Sequence, residues 1–310
     1  MKKIKIDDEQ SYYELNSEAI LGQGSFGKVY EGYKIIMENG QQLNRIRVAA
    51  KAIDVEQIEK KQMKKNLQNE ILILKKLKSK YIVEVLDVTL TKKNVYIFLE
   101  FCQGDLRKLL NQKGRLTQVE ALNYLKQIVE GYTLLKENDI IHRDIKPENV
   151  LLDMQDIAKL SDFGLSKILT SKGLQETMTQ GVGTPKYKSL EMIQNQKNYD
   201  YKIDIWSIGI TLYEMIFGVT PWTGNNLPEL NYNITNKSLS FDQNVHCDES
   251  IKDLIRRMLD KDPQSRISFQ ELKQHPFIAE EKSKLAANKS ELIDSFQGIK
   301  SDEVHNKWVK

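Results

Sequence analysis

The sequence predicts an α+β fold in which a small, β-rich lobe with one main helix precedes a larger, mostly helical lobe. Strand-like segments rich in β-branched residues are concentrated between residues 14 and 101. One long helical stretch, residues 55–78, interrupts these strands. From residue 104 to 278 helical spacing dominates, and the apolar surroundings of residues 203–217 indicate a buried helix.

The strands of the first lobe follow from glycine, alternation and turn signals. Residues 22–33 are β-branched and punctuated by glycine, and residues 45–53 are predicted to form a short strand. Two further apolar runs, residues 83–88 and 95–101, are separated by a polar turn at residues 91–94. These signals predict a sheet built from consecutive strands.

The helices of the second lobe follow from apolar spacing and from proline breaks. In residues 117–138 four side chains share one helical face: Leu122, Leu125, Val129 and Tyr132. Two shorter helices, residues 250–259 and 268–274, are bounded by Asp262-Pro263 and His275-Pro276. The lobes meet at the short segment 100–104.

The predicted domain covers residues 14–278, with an N-terminal extension at 1–13 and a tail at 279–310. The tail carries apolar residues that could form one stripe: Leu285, Leu292, Phe296 and Ile299. Packing on the large lobe, binding a partner and disorder all remain open for it.

Composition excludes several classes of function. The net charge of +3 is too small to argue for nucleic acid or a membrane surface, and no apolar run is long enough to predict a membrane span. The basic N-terminus lacks the apolar segment of a signal peptide, and the two cysteines do not suggest a disulfide framework. A reducing compartment, cytosol or nucleus, is therefore expected. A lysine-rich helix and its exit, residues 60–80, are interpreted as a solvated face, with an acidic partner or an anionic surface as the alternative.

A glycine pattern in the first lobe fits a loop that cradles phosphates. Gly22, Gly24, Gly27 and Val29 match the spacing G-x-G-x-x-G-x-V. Glycine lets backbone N–H groups approach phosphate oxygens without interference from Cβ. A plain glycine-rich hairpin and a dinucleotide-binding turn are the alternatives, but β-branched and aromatic residues follow, which favours a second strand.

A lysine and a glutamate are predicted to face each other between the sheet and its helix. Lys51 ends the strand Val48-Ala49-Ala50 and shares a face with Ala49. Glu70 belongs to an apolar helical stripe with Leu67, Ile71 and Leu74, where a carboxylate is costly unless it is paired. Lys51 would satisfy Glu70; a solvated Glu70 at the edge of the stripe is the alternative.

Two motifs in the second lobe carry the chemistry. The run His142-Arg143-Asp144-Ile145-Lys146-Pro147-Glu148-Asn149 is followed, after a short hairpin, by Asp162-Phe163-Gly164. Two carboxylates, a carboxamide and a lysine close to one hairpin suit the transfer of a phosphoryl group from a magnesium nucleotide to an alcohol.

These motifs, in this order and spacing, resemble those of the protein kinase family, and Lys146 resembles the serine/threonine branch. The resemblance implies a bilobal protein-kinase-like fold, ATP and Mg²⁺ as cofactors, and protein substrates with serine or threonine acceptors. It implies that Asp144 orients the acceptor hydroxyl and that Lys146 neutralises charge on the phosphoryl group. Asn149 and Asp162 would hold Mg²⁺, and a Lys51–Glu70 pair would hold the α- and β-phosphates.

The resemblance also implies an adenine site between the lobes. Leu99 resembles the residue at the back of that pocket, and the backbone of Glu100 to Cys102 resembles the hinge that bonds adenine. Asp105 is similar to a residue that reaches the ribose. Three side chains would enclose the base: Val29, Ala49 and Leu151.

The segment from Gly183 to Glu191 resembles the end of a kinase activation segment, but the usual Ala-Pro-Glu reads Ser189-Leu190-Glu191. The resemblance implies a structural pair between Glu191 and Arg266. It also implies that phosphorylation of Thr177 or Thr179 orders the segment by pairing with Arg143. A polar loop without a switch is the alternative.

Three further positions are assigned by the same resemblance. Asp204 would brace the backbone of the catalytic loop. Glu148 and Glu214 resemble positions that line the peptide groove of kinases preferring arginine before the acceptor, although Glu214 could be an ordinary helix residue. A scaffold without turnover and a kinase of small molecules or lipids are the competing functions. A scaffold without turnover usually lacks at least one of four positions that are all present here: Lys51, Asp144, Asn149 and Asp162. Gly183-Thr184-Pro185 and Arg266 argue for protein substrates and against small molecules or lipids.

Overall fold

The computed structural model of the chain describes the following residues: 2–6, 10–24, 27–60, 67, 71, 75, 77–162, 167–168, 185–194, 196 and 199–279. The chain divides into two compact units, residues 1–267 and residues 268–310. The motifs predicted to carry chemistry lie in the first unit.

An antiparallel sheet forms the N-terminal part of the first unit. Within the described residues its strand order is β1-β2-β3-β4-β6-β5. The strands are β1 (Lys2–Lys5), β2 (Ser11–Gly24), β3 (Gly27–Glu38), β4 (Gln41–Asp54), β5 (Val85–Leu90) and β6 (Asn94–Glu100). Strands β3 and β4 are joined by Asn39-Gly40, both with positive φ, as a two-residue hairpin turn requires. This turn makes both strands longer than the alternation of the sequence predicts.

The two faces of the sheet contain different apolar clusters. One cluster includes Val48, Ala50 and Ala52, packed with residues of the neighbouring strands. The residues of β4 that alternate with these three point to the opposite face, because successive side chains of a strand alternate. There Ile53 packs with Leu67 in the second cluster. Lys51 has the same parity as Ile53, so it lies on the face of the sheet that Leu67 covers.

The first strand adds an edge to this sheet. Residue Ile4 pairs with Tyr13 of β2 and is 4% exposed. It belongs to the first apolar cluster, together with Leu15 and Phe98. Residues of the predicted N-terminal extension therefore take part in the core of the small lobe.

Helices dominate the rest of the first unit. Among the described residues of this unit, the α-helices are α1 (Val55–Lys60), α2 (Leu106–Lys113), α3 (Gln118–Glu137), α4 (Leu190–Ile193), α5 (Lys202–Phe217), α6 (Leu227–Asn236) and α7 (Glu249–Met258). Every residue of α5 from Ile203 to Phe217 is buried, as predicted, and the helix ends at Gly218 in the left-handed conformation. Helix α3 begins with a capping box between Thr117 and Glu120. Small lobe and helical lobe together confirm the predicted α+β class.

Short strands position the catalytic motifs between α3 and α4. They are β7 (Gly104–Asp105), β8 (Ile140–Ile141), β9 (Val150–Leu152), β10 (Ala158–Leu160) and β11 (Lys167–Ile168). Strands β9 and β10 form an antiparallel hairpin, and β7 pairs with β9 on the side opposite β10. The predicted catalytic loop thus lies between β8 and β9, and Asp162 follows β10.

The second unit contains helix α8 (Phe269–Gln274), which the sequence predicts. Ser268 caps it and forms a capping box with Glu271. Of the predicted tail, all residues after Ala279 lie outside the described part of the chain. None of the helices in the described ranges combines the length and the apolar character needed to cross a membrane.

Candidate active site

The backbone of the catalytic loop is held by the buried carboxylate of Asp204. Its oxygens accept hydrogen bonds from the backbone N–H groups of His142 at 2.7 Å and Arg143 at 2.8 Å. The hydroxyl of Tyr132 donates a third bond at 2.9 Å. Burial raises the pKa of Asp204, while its neighbour His142 and these donors oppose the rise. Asp204 takes the bracing position that the sequence predicts.

Two residues of the site have a left-handed backbone that non-glycine residues seldom adopt. Arg143 has φ 72° and Asp162 has φ 59°. Such conformations persist only where the surrounding structure determines them. At Arg143 the bond to Asp204 supplies part of that constraint.

The predicted catalytic residues converge on one carboxylate. Lys146 Nζ lies 2.7 Å from Asp144 Oδ2, and Asn149 Nδ2 donates to the same oxygen at 2.9 Å. Asn149 Nδ2 also donates to the backbone oxygen of Asp144 at 2.7 Å. The side chain of Asp144 is 9% exposed. The loop therefore presents a fixed carboxylate with a cation beside it.

The two lobes are linked by an ion pair. Lys51 of β4 reaches Asp162 across 111 positions of sequence, with 3.1 Å between Nζ and Oδ1. Attraction to Lys51 lowers the pKa of Asp162, against the opposing effect of burial. The predicted partner of Lys51, Glu70, lies outside the described residues. Sequence reasoning did not anticipate the direct contact between Lys51 and Asp162.

The glycine motif forms the hairpin between β2 and β3. Gly22 pairs with Val29, and Gly24 pairs with Gly27. Gly27 has φ 149°, and a Cβ atom there would lie 2.0 Å from the backbone oxygen of Ala52. Only glycine fits this position. The antiparallel strand after the motif agrees with a phosphate loop and disagrees with the dinucleotide-binding turn.

The predicted adenine-site residues lie on paired strands of two sheets. Ala49 and Leu99 are paired across β4 and β6, and Val29 pairs with Lys51. Leu151 pairs with Asp105 across β9 and β7. Asp105 caps α2, because its Oδ1 accepts from Lys108 N at 2.8 Å. That capping bond occupies one oxygen of the residue assigned to the ribose.

The hinge residues carry fixed side chains. Glu100 Oε1 accepts from the backbone N–H of Glu84 at 2.8 Å and lies 3.0 Å from Lys159 Nζ. Burial raises the pKa of the Cys102 thiol to about 12, and the nearby Glu100 adds to the rise. Cys102 is therefore neutral at physiological pH.

Glu148 and Glu214, predicted to line the peptide groove, are brought together by an arginine. Arg107 of α2 donates to Glu148 Oε1 at 2.9 Å and to both oxygens of Glu214 at 2.9 and 3.0 Å. The hydroxyl of Tyr187 bonds Glu214 Oε2 at 2.7 Å. Sequence reasoning missed Arg107 because these contacts join four distant segments.

The segment from Pro185 to Gln194 keeps its predicted structural pair. Arg266 donates two bonds to the carboxylate of Glu191, at 2.6 and 3.0 Å, with both side chains buried. Helix α4 begins at Leu190 without the usual proline. The predicted Glu191–Arg266 pair is confirmed.

Of the residues in the predicted phosphate switch, the structure describes Arg143 but not the two threonines. Thr177 and Thr179 lie outside the described residues. The guanidinium of Arg143 lies over the ring of Tyr199, with 5.5 Å between Cζ and the ring centroid. Burial lowers the pKa of Arg143, and within the described part of the chain its Nε has no hydrogen-bond partner.

The fold and this site define a class of two-lobed phosphotransferases. A lysine from the sheet lobe meets an aspartate of the helical lobe, next to a loop that holds a carboxylate, a lysine and a carboxamide. Oxygen ligands and cations in this arrangement suit phosphate and a hard divalent metal.

The chain belongs to the protein kinase family, because residues 15–278 match the protein kinase domain. Members of this family use ATP and Mg²⁺ and act on protein substrates. The chain is 34% identical over 273 residues to serine/threonine-protein kinase ATG1b of Arabidopsis thaliana, covering 85% of this chain and 36% of that protein.

Two rice proteins give similar comparisons. Serine/threonine protein kinase OSK3 of Oryza sativa subsp. indica is 34% identical, with 83% of this chain and 49% of the relative aligned. CBL-interacting protein kinase 10 of Oryza sativa subsp. japonica is 35% identical, with 84% and 55% aligned. The chain thus spans between about a third and a half of the length of these relatives.

Proposed function

We propose that this chain transfers the γ-phosphoryl group of ATP to serine and threonine hydroxyls of proteins. The observation that carries the proposal is the contact between Lys51 and Asp162, which joins the two lobes beside the Asp144 loop. Serine/threonine specificity is supported by Lys146 and by the names of the aligned relatives. The kinase domain is assigned to residues 14–278.

Asn149 and Asp162 are proposed to hold Mg²⁺. Among the described residues, no group of three or more His, Cys, Asp or Glu side chains could enclose a metal ion. Two oxygen ligands nevertheless suit Mg²⁺, which keeps several waters and shares its shell with phosphates. The amide of Asn149 donates through Nδ2 to Asp144, so its oxygen remains as the candidate ligand. When bound, Mg²⁺ would supply charge neutralisation for the phosphates.

Asp144 is proposed to accept and orient the substrate hydroxyl. Its carboxylate is held on one oxygen by Lys146 and Asn149, which leaves the other, Oδ1, as the candidate acceptor. Lys146, 2.7 Å away, would neutralise charge on the transferred phosphoryl group.

The nucleotide is proposed to lie between the sheet and the β9–β10 hairpin. The backbone of Gly22, Gly24 and Gly27 would contact its phosphates, together with Lys51, for which Glu70 is the proposed partner. The backbone from Glu100 to Cys102 would bond adenine, and Asp105 would reach the ribose through the oxygen that its capping bond leaves. Three side chains would enclose the base: Val29, Ala49 and Leu151.

Phosphorylation of Thr177 or Thr179 is proposed to activate the enzyme by pairing with Arg143. The Nε of Arg143 supports the proposal, because it is buried and has no hydrogen-bond partner among the described residues, and a phosphate would supply charge-assisted hydrogen bonds. A Thr177→Ala/Thr179→Ala variant is expected to lose activity, and full activity in that variant would exclude the switch.

The protein itself is proposed to act in a reducing compartment, cytosol or nucleus, because Cys102 and Cys247 are both free thiols. Glu148 and Glu214 are candidates for contacting basic residues before the acceptor. Since both already bond Arg107, we infer that this preference is weak in the native chain.

The test is incubation with labelled ATP, Mg²⁺ and a serine/threonine peptide library. An Asp144→Asn variant is the matched control, because it keeps the size of the side chain and removes the charge. We expect label on peptides only with the native chain. No labelling by either protein, even after phosphorylation of residues 177 and 179, would favour a scaffold without turnover. Equal labelling by both proteins would contradict the role of Asp144.

A further inference from the structure

The guanidinium of Arg107 is shared between two carboxylates next to the catalytic loop. Its Nε donates to Glu148, and its Nη1 and Nη2 donate to the two oxygens of Glu214. Nη2 also contacts the hydroxyl of Tyr187. Three nitrogens of the side chain are therefore engaged, in the forked geometry that makes arginine–carboxylate bonds strong.

The position of Arg107 in its own helix does not explain these contacts. It lies in the first turn of α2, where a positive charge opposes the helix dipole. That first turn contains no acidic residue. Burial lowers the pKa of Arg107, but the bonds to Glu214 and Glu148 outweigh this effect and raise the pKa above its ordinary value. The two carboxylates, rather than the helix, stabilise the charge.

The acidic pair lies within reach of a peptide bound at Asp144. Glu148 follows Asp144 by four residues in the same loop, so the two Cα atoms are at most about 14 Å apart. A peptide residue two or three positions from its acceptor lies about 7–11 Å away along an extended chain. The side chain of Glu148 is 42% exposed, whereas that of Glu214 is 9% exposed. A long basic side chain beside the acceptor could therefore reach Glu148 first.

We propose that Arg107 is a built-in counterion for Glu148 and Glu214, which occupies the place of a substrate arginine and so weakens selection for arginine beside the acceptor. This specificity role rests on the proposed function. Two carboxylates and one guanidinium leave the cluster with a single negative charge. A peptide arginine would meet hydrogen-bonded oxygens on Glu214 and at most one open oxygen on Glu148.

Binding of peptide pairs tests this proposal without any need for turnover. The probe is a fluorescent peptide with alanine in place of the acceptor, made with arginine or with alanine at the flanking positions. Fluorescence anisotropy gives the affinity ratio of the two peptides for each protein. Arg107→Gln is expected to raise the ratio about tenfold, which corresponds to about one charge-assisted hydrogen bond. Lys113→Gln, with the same charge change at an exposed position of the same helix, is expected to leave the ratio unchanged.

A double variant tests whether the carboxylate of Glu148 is the group that binds the peptide arginine. In Arg107→Gln/Glu148→Gln the gain should fall back towards the native ratio, because the exposed carboxylate is gone. An unchanged affinity ratio in Arg107→Gln, or an equal gain in Lys113→Gln, would overturn the proposal. If thermal melting shows that Arg107→Gln is unfolded, Arg107→Lys takes its place. A lysine lacks the forked guanidinium, so it should release one carboxylate and raise the affinity ratio by less than Arg107→Gln. No rise in the ratio would again overturn the proposal.

Phosphorylation of the matching serine peptides separates this proposal from the proposed function. Native protein that labels no peptide above Asp144→Asn, while Arg107→Gln gains arginine binding, would refute the kinase activity and keep the counterion role. Active native protein whose preference is already strong for arginine, and unchanged in Arg107→Gln, would refute the counterion role alone.

Discussion

Replacement of Arg266 by methionine is expected to destabilise the first unit strongly. The side chain of Arg266 is fully buried, and its guanidinium donates two bonds to Glu191. It also donates to the backbone oxygens of Lys202 at 2.9 Å and Asp260 at 3.0 Å. Methionine fills much of the same volume but satisfies none of these acceptors.

The expected magnitude follows from the charge left behind. Glu191 is 3% exposed, so the variant would leave a buried carboxylate without its counterion. Breaking a buried pair in this way costs about 3–5 kcal/mol in free energy of unfolding. For a protein of this size, about 1 kcal/mol corresponds to about 2–4 °C in Tm, so Tm should fall by about 6–20 °C.

Thermal unfolding followed by circular dichroism measures this difference. Arg256→Met is the matched control, because Arg256 pairs with the exposed Glu249, and little change in Tm is expected. Arg266→Met/Glu191→Leu removes both charges and should recover much of the lost stability. If Arg266→Met melted within about 2 °C of Arg256→Met, the reasoning about a buried, uncompensated carboxylate would be refuted.

Three further predictions concern the brace, the edge strand and the interlobe pair. Tyr132→Phe removes one buried bond to Asp204 and should lower the free energy of unfolding in urea by about 1.5–3 kcal/mol. Ile4→Ala removes a buried side chain from an edge strand and should cost about 2 kcal/mol in the same assay. Lys51→Met removes the attraction that lowers the pKa of Asp162. A lowered carboxyl pKa stabilises the fold above the ordinary aspartate pKa near 3.9, and this contribution is lost as pH falls through the folded pKa. The difference in unfolding free energy between native protein and Lys51→Met should therefore be larger at pH 7 than at pH 3.

Each of these predictions has a result that contradicts it. Native stability in Tyr132→Phe would mean that the carboxylate of Asp204 does not depend on this donor. An effect of Ile4→Ala no larger than that of the exposed Lys3→Ala would remove β1 from the core. A stability difference for Lys51→Met that is the same at both pH values would show that Lys51 does not shift the titration of Asp162.

Local sequence patterns predicted much of the fold, because helix caps and apolar runs depend on residues that are close together in the sequence. The apolar run 203–217 became the buried helix α5, and the capping residues Thr117 and Ser268 begin helices α3 and α8 where predicted. The long β3–β4 hairpin was underestimated, although Asn39-Gly40 is a strong turn signal. The burial of Ile4 was also missed, since a short basic segment carries little alternation to mark it as a strand.

The site was predictable where spacing along the chain carries the information. The Asp144 loop and Asp162 were found from their motifs, and the structure brings Asp162 to Lys51. The bridge from Arg107 to Glu148 and Glu214 was not predictable in this way. It depends on three segments that become neighbours only in the folded chain, and no periodicity in the sequence links them.

The central claim is that Asp144 acts on the acceptor, while Lys51 and Asp162 hold the nucleotide. The most direct test is the rate of phosphoryl transfer to a serine peptide at saturating ATP and Mg²⁺, compared between native protein and Asp144→Asn. We expect the variant to bind ATP with native affinity in calorimetry and to transfer about 10²–10⁴ times more slowly. A native transfer rate in Asp144→Asn would contradict the assignment of Asp144 as the residue that orients the hydroxyl.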